Sequence, residues 1–508
     1  MFSAERILTD GKSGFSISFD GMPFGRSDLD GLQDKFARAL AGVADIEAGK
    51  IKNPDENRQV THFTDRMNYP GSAAFAAVEQ FAAKVRSEGK FDAVVVNGIG
   101  GSALGPQLMQ YAVNGPYWNE LSAAQRKNNL KIYFLDNTDS SGFDDLLAVM
   151  VPERTLHLVI SKSGGTQETK NNMIAMERYY ASKGLRFSDC AVAVTMKDSS
   201  LYQHAEAENW LEIFEMAESI GGRTSETAIV GHLPAALTGV DFKKFLAGAC
   251  DMDKWTRSAD IAGNPALQLA AMWYLAGNGR GDRNMVIVPY SDRLVLLSRY
   301  LQQLVMESLG KELDLDGKIV HQGLNVFGNK GGTDAHAFIQ QLNDGRDDFF
   351  ATFIEVLHDA RKLEISGGVS MGDYLHGFFE GLSAALRGKN RQVITIRIPE
   401  LTEYELGQII ALYERTVAVY AEFININAFH QPGVQAYKLA AKDALALREK
   451  LFAALQGKSI CGSASEIASA VGMPGEVDGI AAWLDKASCN DTGVKREFNG
   501  QNWVYTLK

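Results

Sequence analysis

Residues 161–166, Ser161-Lys162-Ser163-Gly164-Gly165-Thr166, set three hydroxyls and one ammonium around two glycines. An apolar run, Leu156 to Ile160, precedes them and reads as a buried strand, and a helical pattern follows from Gln167 toward Lys183. A turn that enters a helix leaves unpaired backbone N–H groups facing the space above it, and the helix dipole adds positive potential there. Glycines let an anion come close to that backbone. The chemistry this suits is phosphate binding without a large net positive charge. The alternative is an ordinary turn built from turn-forming residues.

Further candidates are scattered along the chain. The turn Gly98-x-Gly100-x-x-Ala103 fits a relaxed dinucleotide fingerprint, but the acidic residue that should follow about 20 positions on is missing, Asp136 lying well beyond. Ser102 among those glycines suits a sugar hydroxyl or a phosphate oxygen equally well. Arg223 follows Gly221-Gly222; a guanidinium beside such turns can stabilise an oxyanion while staying charged, though surface arginines in loops are common. Gln303 and Glu307, at i and i+4, share one helix face, while Leu297, Leu301, Leu304 and Ser308 form another stripe. If that helix is buried, Glu307 is a carboxylate in a cleft, suited to abstracting a proton from carbon. His336 follows Thr333, an expected N-cap, and Gln431-Pro432 opens a helix on which Lys438 lies two turns along the same face. Taken singly, a packed or exposed histidine and a solvated lysine explain these last residues as well.

The elements that must position these groups alternate between strand and helix. Amphipathic helices are expected from Phe36 to Ile46 and over 73–88, and strands over 91–96, 131–135, 156–160 and 190–195. That alternation predicts a doubly wound parallel sheet with ligand loops at the strand C-terminal ends. The segment 53–67, with Arg58, His62 and Arg66, reads as a solvated helix and loop. After a helical stretch over 242–280, a second α/β set follows, with strands at 285–288, 349–357 and 392–398 and helices over 294–309, 333–342 and 402–422. The tail suggests two short helices, 465–471 and 476–486, and a hairpin from Val494 to Leu507 turning at Asn499-Gly500. The expected organisation is a helical N-terminal segment (1–85), a first domain (86–245), linker helices with a second domain (246–445), and a small winged-helix-like appendage (459–508). That appendage is slightly acidic and is read as a packing or contact module rather than a DNA-binding one.

Composition narrows the function classes. With 508 residues, 45% hydrophobic and 22% charged, the chain has the make-up of a globular protein with more than one core. A net charge of −11 argues against non-specific binding to nucleic acid or anionic membranes. Cys190, Cys250, Cys461 and Cys489 show no C-x-x-C pairing and read as buried small apolar residues rather than a disulfide framework. The start of the chain, with Glu5, Arg6 and Asp10, has no apolar signal core, and no apolar run approaches the ~18 residues of a membrane helix. A cytoplasmic location is expected.

The motifs together resemble the phosphoglucose isomerase family. GIGGSALGP (98–106), SKSGGTQET (161–169), GGRTS (221–225), MESLGK (306–311), GTDAHAF (332–338) and HQPGVQAYK (430–438) stand in the family's order and near its spacings. NPDENRQVTHFTDR looks like its N-terminal entry segment. The resemblance implies two sugar isomerase (SIS) domains, a homodimer with shared active sites, and neither metal nor nucleotide cofactor. It also implies a phosphorylated hexose substrate, with D-glucose 6-phosphate and D-fructose 6-phosphate interconverted in glycolysis and gluconeogenesis. Carried over by motif, Ser102, Ser161, Lys162, Ser163, Thr166 and Gln431 would ring the sugar phosphate, with Gln303 also in the binding site. Glu307 would move the proton between C2 and C1, and Arg223 would stabilise the cis-enediolate. His336 and Lys438 would handle ring opening and hydroxyl protons, the histidine reaching across the dimer.

Four positions depart from the family's pattern: Leu309, His430, Gln435 and Ala335 stand where Asn, Asp, Glu and Gln are common. Two other readings use the same residues. One widens the substrate to mannose 6-phosphate. The other is a non-catalytic sugar-phosphate sensor, against which the joint presence of Glu307, Arg223, His336 and Lys438 weighs.

Overall fold

A computed structural model describes residues 6–490 and 492–507; Glu5 of the N-terminal stretch lies outside them. The chain forms two compact units, residues 6–430 and 431–507, and the fold is α/β with parallel sheets.

The first sheet is wholly parallel. Its strands run Lys131–Leu135, Ala93–Asn97, Thr155–Ile160, Ala191–Thr195 and Glu212–Glu215 from edge to edge. Val94, Val95 and Val96 are buried on both faces. Their β-branched side chains pack well on a pleated surface, and each fully buried valine contributes about 1.5–3 kcal/mol. Glu212–Glu215 is an edge strand that alternation alone did not reveal. Chain order reverses at the central pair, Ala93–Asn97 and Thr155–Ile160. In such sheets ligands settle outside the strand C-termini at that reversal, which is where both glycine-bearing turns leave the sheet.

The second sheet corrects an expectation. Val326–Phe327, Asn284–Tyr290, Phe349–Val356 and Gln392–Ile398 are parallel, but Ser16–Gly21 joins Gln392–Ile398 antiparallel and Ile7–Thr9 pairs with it. The sheet is mixed. The N-terminal segment is therefore not simply helical: it contributes this hairpin as well as helices Gln33–Glu47 and Ala73–Glu88. Phe15, Ile17 and Phe19 point inward from it, which is the period-2 pattern of a half-buried strand.

Several helices are shorter or more irregular than periodicity predicts. The stretch 242–280 breaks into Phe242–Thr256 and Pro265–Ala276, where Asn264 caps the second helix through Ala266 N and Leu267 N. The stretch 294–309 is an α turn, Leu297–Leu301, followed by a π turn, Gln302–Glu307. The stretch 333–342 divides into a 3₁₀ turn, Thr333–His336, and helix Ile339–Asp344; Gly332 with φ +82° occupies the cap position, not Thr333. Helix Met371–Gly388, capped by a Ser370/Asp373 box, adds a layer absent from the periodicity reading.

The segment 53–67 is not solvated. Arg66 is 0% exposed and His62 and Arg58 are buried. Arg66 grips Asp253 with Nε and Nη2 (2.5 and 2.6 Å) and Glu414 with Nη1 (2.5 Å), while Arg415 reaches Asp253 (2.8 Å) and Glu47 (2.7 Å). This network ties helix His62–Asn68 to Phe242–Thr256 and to the long helix Glu403–Phe423. That last helix is buried nearly all round and opens with a Thr402/Glu405 capping box.

All four cysteines are free, but only Cys190 is buried; Cys461 and Cys489 are exposed. No helix among the described residues is long and apolar enough to cross a membrane.

The second unit begins with helix Pro432–Leu455, which runs unbroken through residue 445, the expected end of the second domain. Helices Ala464–Ala470 and Val477–Ser488 follow. The expected hairpin, Val494–Phe498 with Trp503–Leu507, gains a third strand, Ile460–Gly462. Leu451, Ile467, Ile480, Leu484 and Tyr505 form its own core.

Candidate active site

The turn 161–166 joins buried strand Thr155–Ile160 to helix Gln167–Ser182. Gly164 sits at φ +70°, and a Cβ on it would fall 2.4 Å from Leu201 N, so this position needs glycine. Thr166 occupies the helix N-cap but its side chain does not cap; its hydroxyl accepts from Ser161 Oγ at 3.3 Å. The Ser163 hydroxyl accepts from Gly165 N at 3.2 Å and is exposed above the turn. The Lys162 ammonium turns to the neighbouring loop, donating to Glu218 O (2.5 Å) and Ile220 O (3.0 Å). Burial, aided by Arg58, pulls its pKa down to about 8. Lys162 thus buttresses the segment that leads into Arg223.

The first glycine turn fits against that same segment. A Cβ on Gly101 would lie 1.7 Å from Gly222 O, so only glycine lets the two turns touch. Ser225 fastens them, its hydroxyl lying 2.7 Å from Gly222 O and 3.3 Å from Gly101 O. Gly100, at φ +58°, has the Gln303 amide against it: a Cβ there would meet Gln303 Nε2 at 2.9 Å. Ser102 follows in the first turn of helix Gly101–Met109, partly exposed. Asp136 is engaged by Gln107 Nε2 at 2.8 Å.

These contacts bring the first sheet's turns to the helix that carries Glu307. Gln303 Nε2 donates to Glu307 Oε2 at 3.3 Å. Arg223 Nε lies 3.6 Å from the same oxygen, and its Nη2 donates to the carbonyls of Glu307 (3.3 Å) and His430 (3.0 Å). The Glu307 side chain is 25% exposed whereas Arg223 is buried. Burial lowers the Arg223 pKa, Glu307 opposes the shift and Arg58 adds to it. The His430 ring faces Asp55, Nδ1 to Oδ2 at 2.5 Å, and burial pulls its pKa down against that carboxylate. An accessible carboxylate beside a fixed guanidinium is equipped to take a proton from carbon and to steady the oxyanion that results.

Three other predicted residues are described by their own elements. His336 is exposed at the end of the 3₁₀ turn Thr333–His336, where buried Asp334 accepts from Asn329 N at 3.1 Å. Gln431 and Lys438 belong to the second unit. Gln431 is the N-cap of Pro432–Leu455 with proline in the first turn, and Lys438 is exposed on that helix. Sequence reasoning missed Lys311, buried next to Arg223 and Glu307, although it ends the MESLGK segment; hydropathy alone would place a lysine in solvent. It missed Arg58 too, whose guanidinium holds Ser219 O (3.0 Å) and Phe429 O (3.0 Å). Among the described residues, no group of three or more His, Cys, Asp or Glu side chains could hold a metal ion.

Comparison with known proteins gives this geometry a context. The phosphoglucose isomerase family model matches residues 46–393 and 382–454. A glucose-6-phosphate isomerase of Nostoc punctiforme is 44% identical over 501 residues, covering 95% of this chain and 93% of that one. One from Geobacter sulfurreducens is 45% identical over 513 residues, covering 97% and 95%. The crystal structure of a glucose-6-phosphate isomerase from Chlamydia trachomatis superposes with a TM-score of 0.77 at 26% identity, covering 88% of this chain and 90% of that one. The chain belongs to the phosphoglucose isomerase family.

Proposed function

We propose that this protein is an aldose–ketose isomerase that interconverts D-glucose 6-phosphate and D-fructose 6-phosphate. The observation that carries the reading is the pairing of Arg223 with Glu307 next to two glycine turns, in a chain of this family. The phosphate group rests on the 161–166 turn, ringed by Ser102, Ser161, Lys162, Ser163, Thr166 and Gln431: the hydroxyls supply donors, Lys162 adds its charge from the side while it braces the neighbouring loop, and Gln303 lines the sugar site. After ring opening, Glu307 takes the proton from C2 of the aldose. The C2–H electrons form a C1=C2 bond, and the carbonyl oxygen at C1 becomes the enediolate oxygen that Arg223 stabilises. Transfer of the O2 proton to O1, with return of the proton from Glu307 to C1, then yields the ketose. His336 and Lys438 serve ring opening and hydroxyl proton transfer.

The chain reads as two SIS domains, 86–245 and 246–445, preceded by the segment 1–85 and followed by a winged-helix-like appendage at 459–508. The exposed turn bearing His336 supports a homodimer in which each subunit lends this histidine to the other's site. The test is a coupled assay of purified protein with fructose 6-phosphate and no added metal. Formation of glucose 6-phosphate is expected; no turnover by folded protein would remove the isomerase reading.

A further inference from the structure

The helix that carries Glu307 ends abruptly. Its π turn, Gln302–Glu307, is followed by only two further helical residues, Ser308 and Leu309, before the chain enters strand Lys311–Leu313. The final carbonyls of a helix have no partner within it. Met306 O is taken by Gly310 N at 2.9 Å, and Glu307 O and Ser308 O are left for other donors. The Lys311 ammonium lies on both, donating to Glu307 O at 2.8 Å and to Ser308 O at 2.7 Å. A cation at this end also opposes the negative pole of the helix dipole. Lys311 is 4% exposed, so it is a buried fastening rather than a surface charge. Glu307 O accepts from Arg223 Nη2 as well, at 3.3 Å. Two cations therefore converge on the backbone of the residue whose side chain is the candidate base.

We propose that Lys311 is a positioning residue for the isomerisation: it pins the Glu307 carbonyl so that the carboxylate keeps its place between Arg223 and Gln303. It does not touch substrate. This rests on the reading of Glu307 as the base. The titratable groups that face Lys311 are Arg223, Glu307 and His430; burial, reinforced by Arg223 and opposed by Glu307, brings its pKa down to about 7. A lysine kept at that cost of burial, with two carbonyls as its hydrogen-bond partners, acts on the backbone of Glu307.

The experiment compares wild type with Lys311→Met, Lys311→Gln and Lys311→Arg in the fructose 6-phosphate assay, with folding checked by circular dichroism. Methionine keeps the length of the stem and removes every donor. Misplacing a reacting group by about 1 Å costs on the order of a hundredfold, so kcat of Lys311→Met should fall by about that factor. Because the phosphate turn is untouched, KM should move by less than about threefold. Glutamine can hold only one carbonyl and should fall between, and arginine should restore most of kcat. If Lys311→Met does not fold, the order wild type, arginine, glutamine decides. Wild-type kcat in Lys311→Gln, or a rise in KM with kcat unchanged, would overturn the proposal. An inactive wild type would instead remove the isomerase reading, and this inference with it.

Discussion

Arg223 holds Glu307 at two points: Nη2 donates to its backbone carbonyl at 3.3 Å and Nε lies 3.6 Å from its carboxylate. Arg223 comes from a 3₁₀ turn that follows the first sheet and Glu307 from a helix that follows a strand of the second, far apart in sequence. They meet because Gly101, lacking a Cβ, lets its turn lie against the Gly222 carbonyl, and Glu307 stands at the end of the π turn Gln302–Glu307. The Arg223–Glu307 pairing thus depends on glycine placement as well as on the charged residues themselves.

The 161–166 turn predicts a binding phenotype. Ser163→Ala and Thr166→Ala each remove a hydroxyl from the proposed phosphate site, where a charge-assisted hydrogen bond contributes about 1.5–3 kcal/mol. KM for fructose 6-phosphate should rise correspondingly while kcat changes little. Inorganic phosphate should compete with substrate. Unchanged KM in both variants, with no inhibition by phosphate, would move the phosphate site elsewhere.

Stability should depend on the buried ion network. Arg66→Met leaves Asp253 and Glu414 buried without their main partner, a loss of about 3–5 kcal/mol that urea unfolding would read directly. The pH dependence follows from two opposite shifts. Burial raises Glu414 to about 7, against the pull of Arg66; its contribution is present below the unfolded value and fades as pH rises through 7. Burial also acts on Asp253, but Arg66 and Arg415 win and hold it below its usual range; its contribution fades as pH falls through that depressed value. Wild-type protein should therefore lose stability toward both sides of a mildly acidic optimum. A flat profile from pH 5 to 8 would contradict the Glu414 assignment.

Much of the fold was legible because it depends on local pattern. The valines of 94–96 and the stripe Leu297, Leu301, Leu304 and Ser308 bury as their spacing requires. The turn 161–166 was legible for the same reason: strand, glycines and helix start are adjacent in sequence. What escaped depends on distant partners. Arg66 looks solvated until Asp253 and Glu414 are brought to it, and Lys311 until helix Leu297–Leu301 ends in a π turn. The π turn itself changes backbone pairing without disturbing the apolar stripe, so hydropathy carries no trace of it. The strand Ser16–Gly21 does alternate, but the glycines and polar residues before it disguise it as turn.

The proposed sharing of His336 predicts complementation. If the histidine completes the partner's pocket, a dimer of one His336→Ala and one Glu307→Gln subunit has one site with both lesions and one with neither. Refolding equal amounts together makes about half the dimers mixed, so about a quarter of wild-type activity should return. Verified mixed dimers without recovered activity would place His336 in its own subunit's site or outside the site.

The central claim is that Glu307 transfers the proton between C2 and C1. Its direct test is the steady-state kinetics of Glu307→Gln, which keeps the side chain's shape and its contact with Gln303 while removing the base. Folding and competitive binding of sugar phosphate should persist, and kcat should fall by several orders of magnitude, on the order of 10²–10⁴ at least. A Glu307→Gln protein that turns over fructose 6-phosphate at a near-normal kcat would contradict the account.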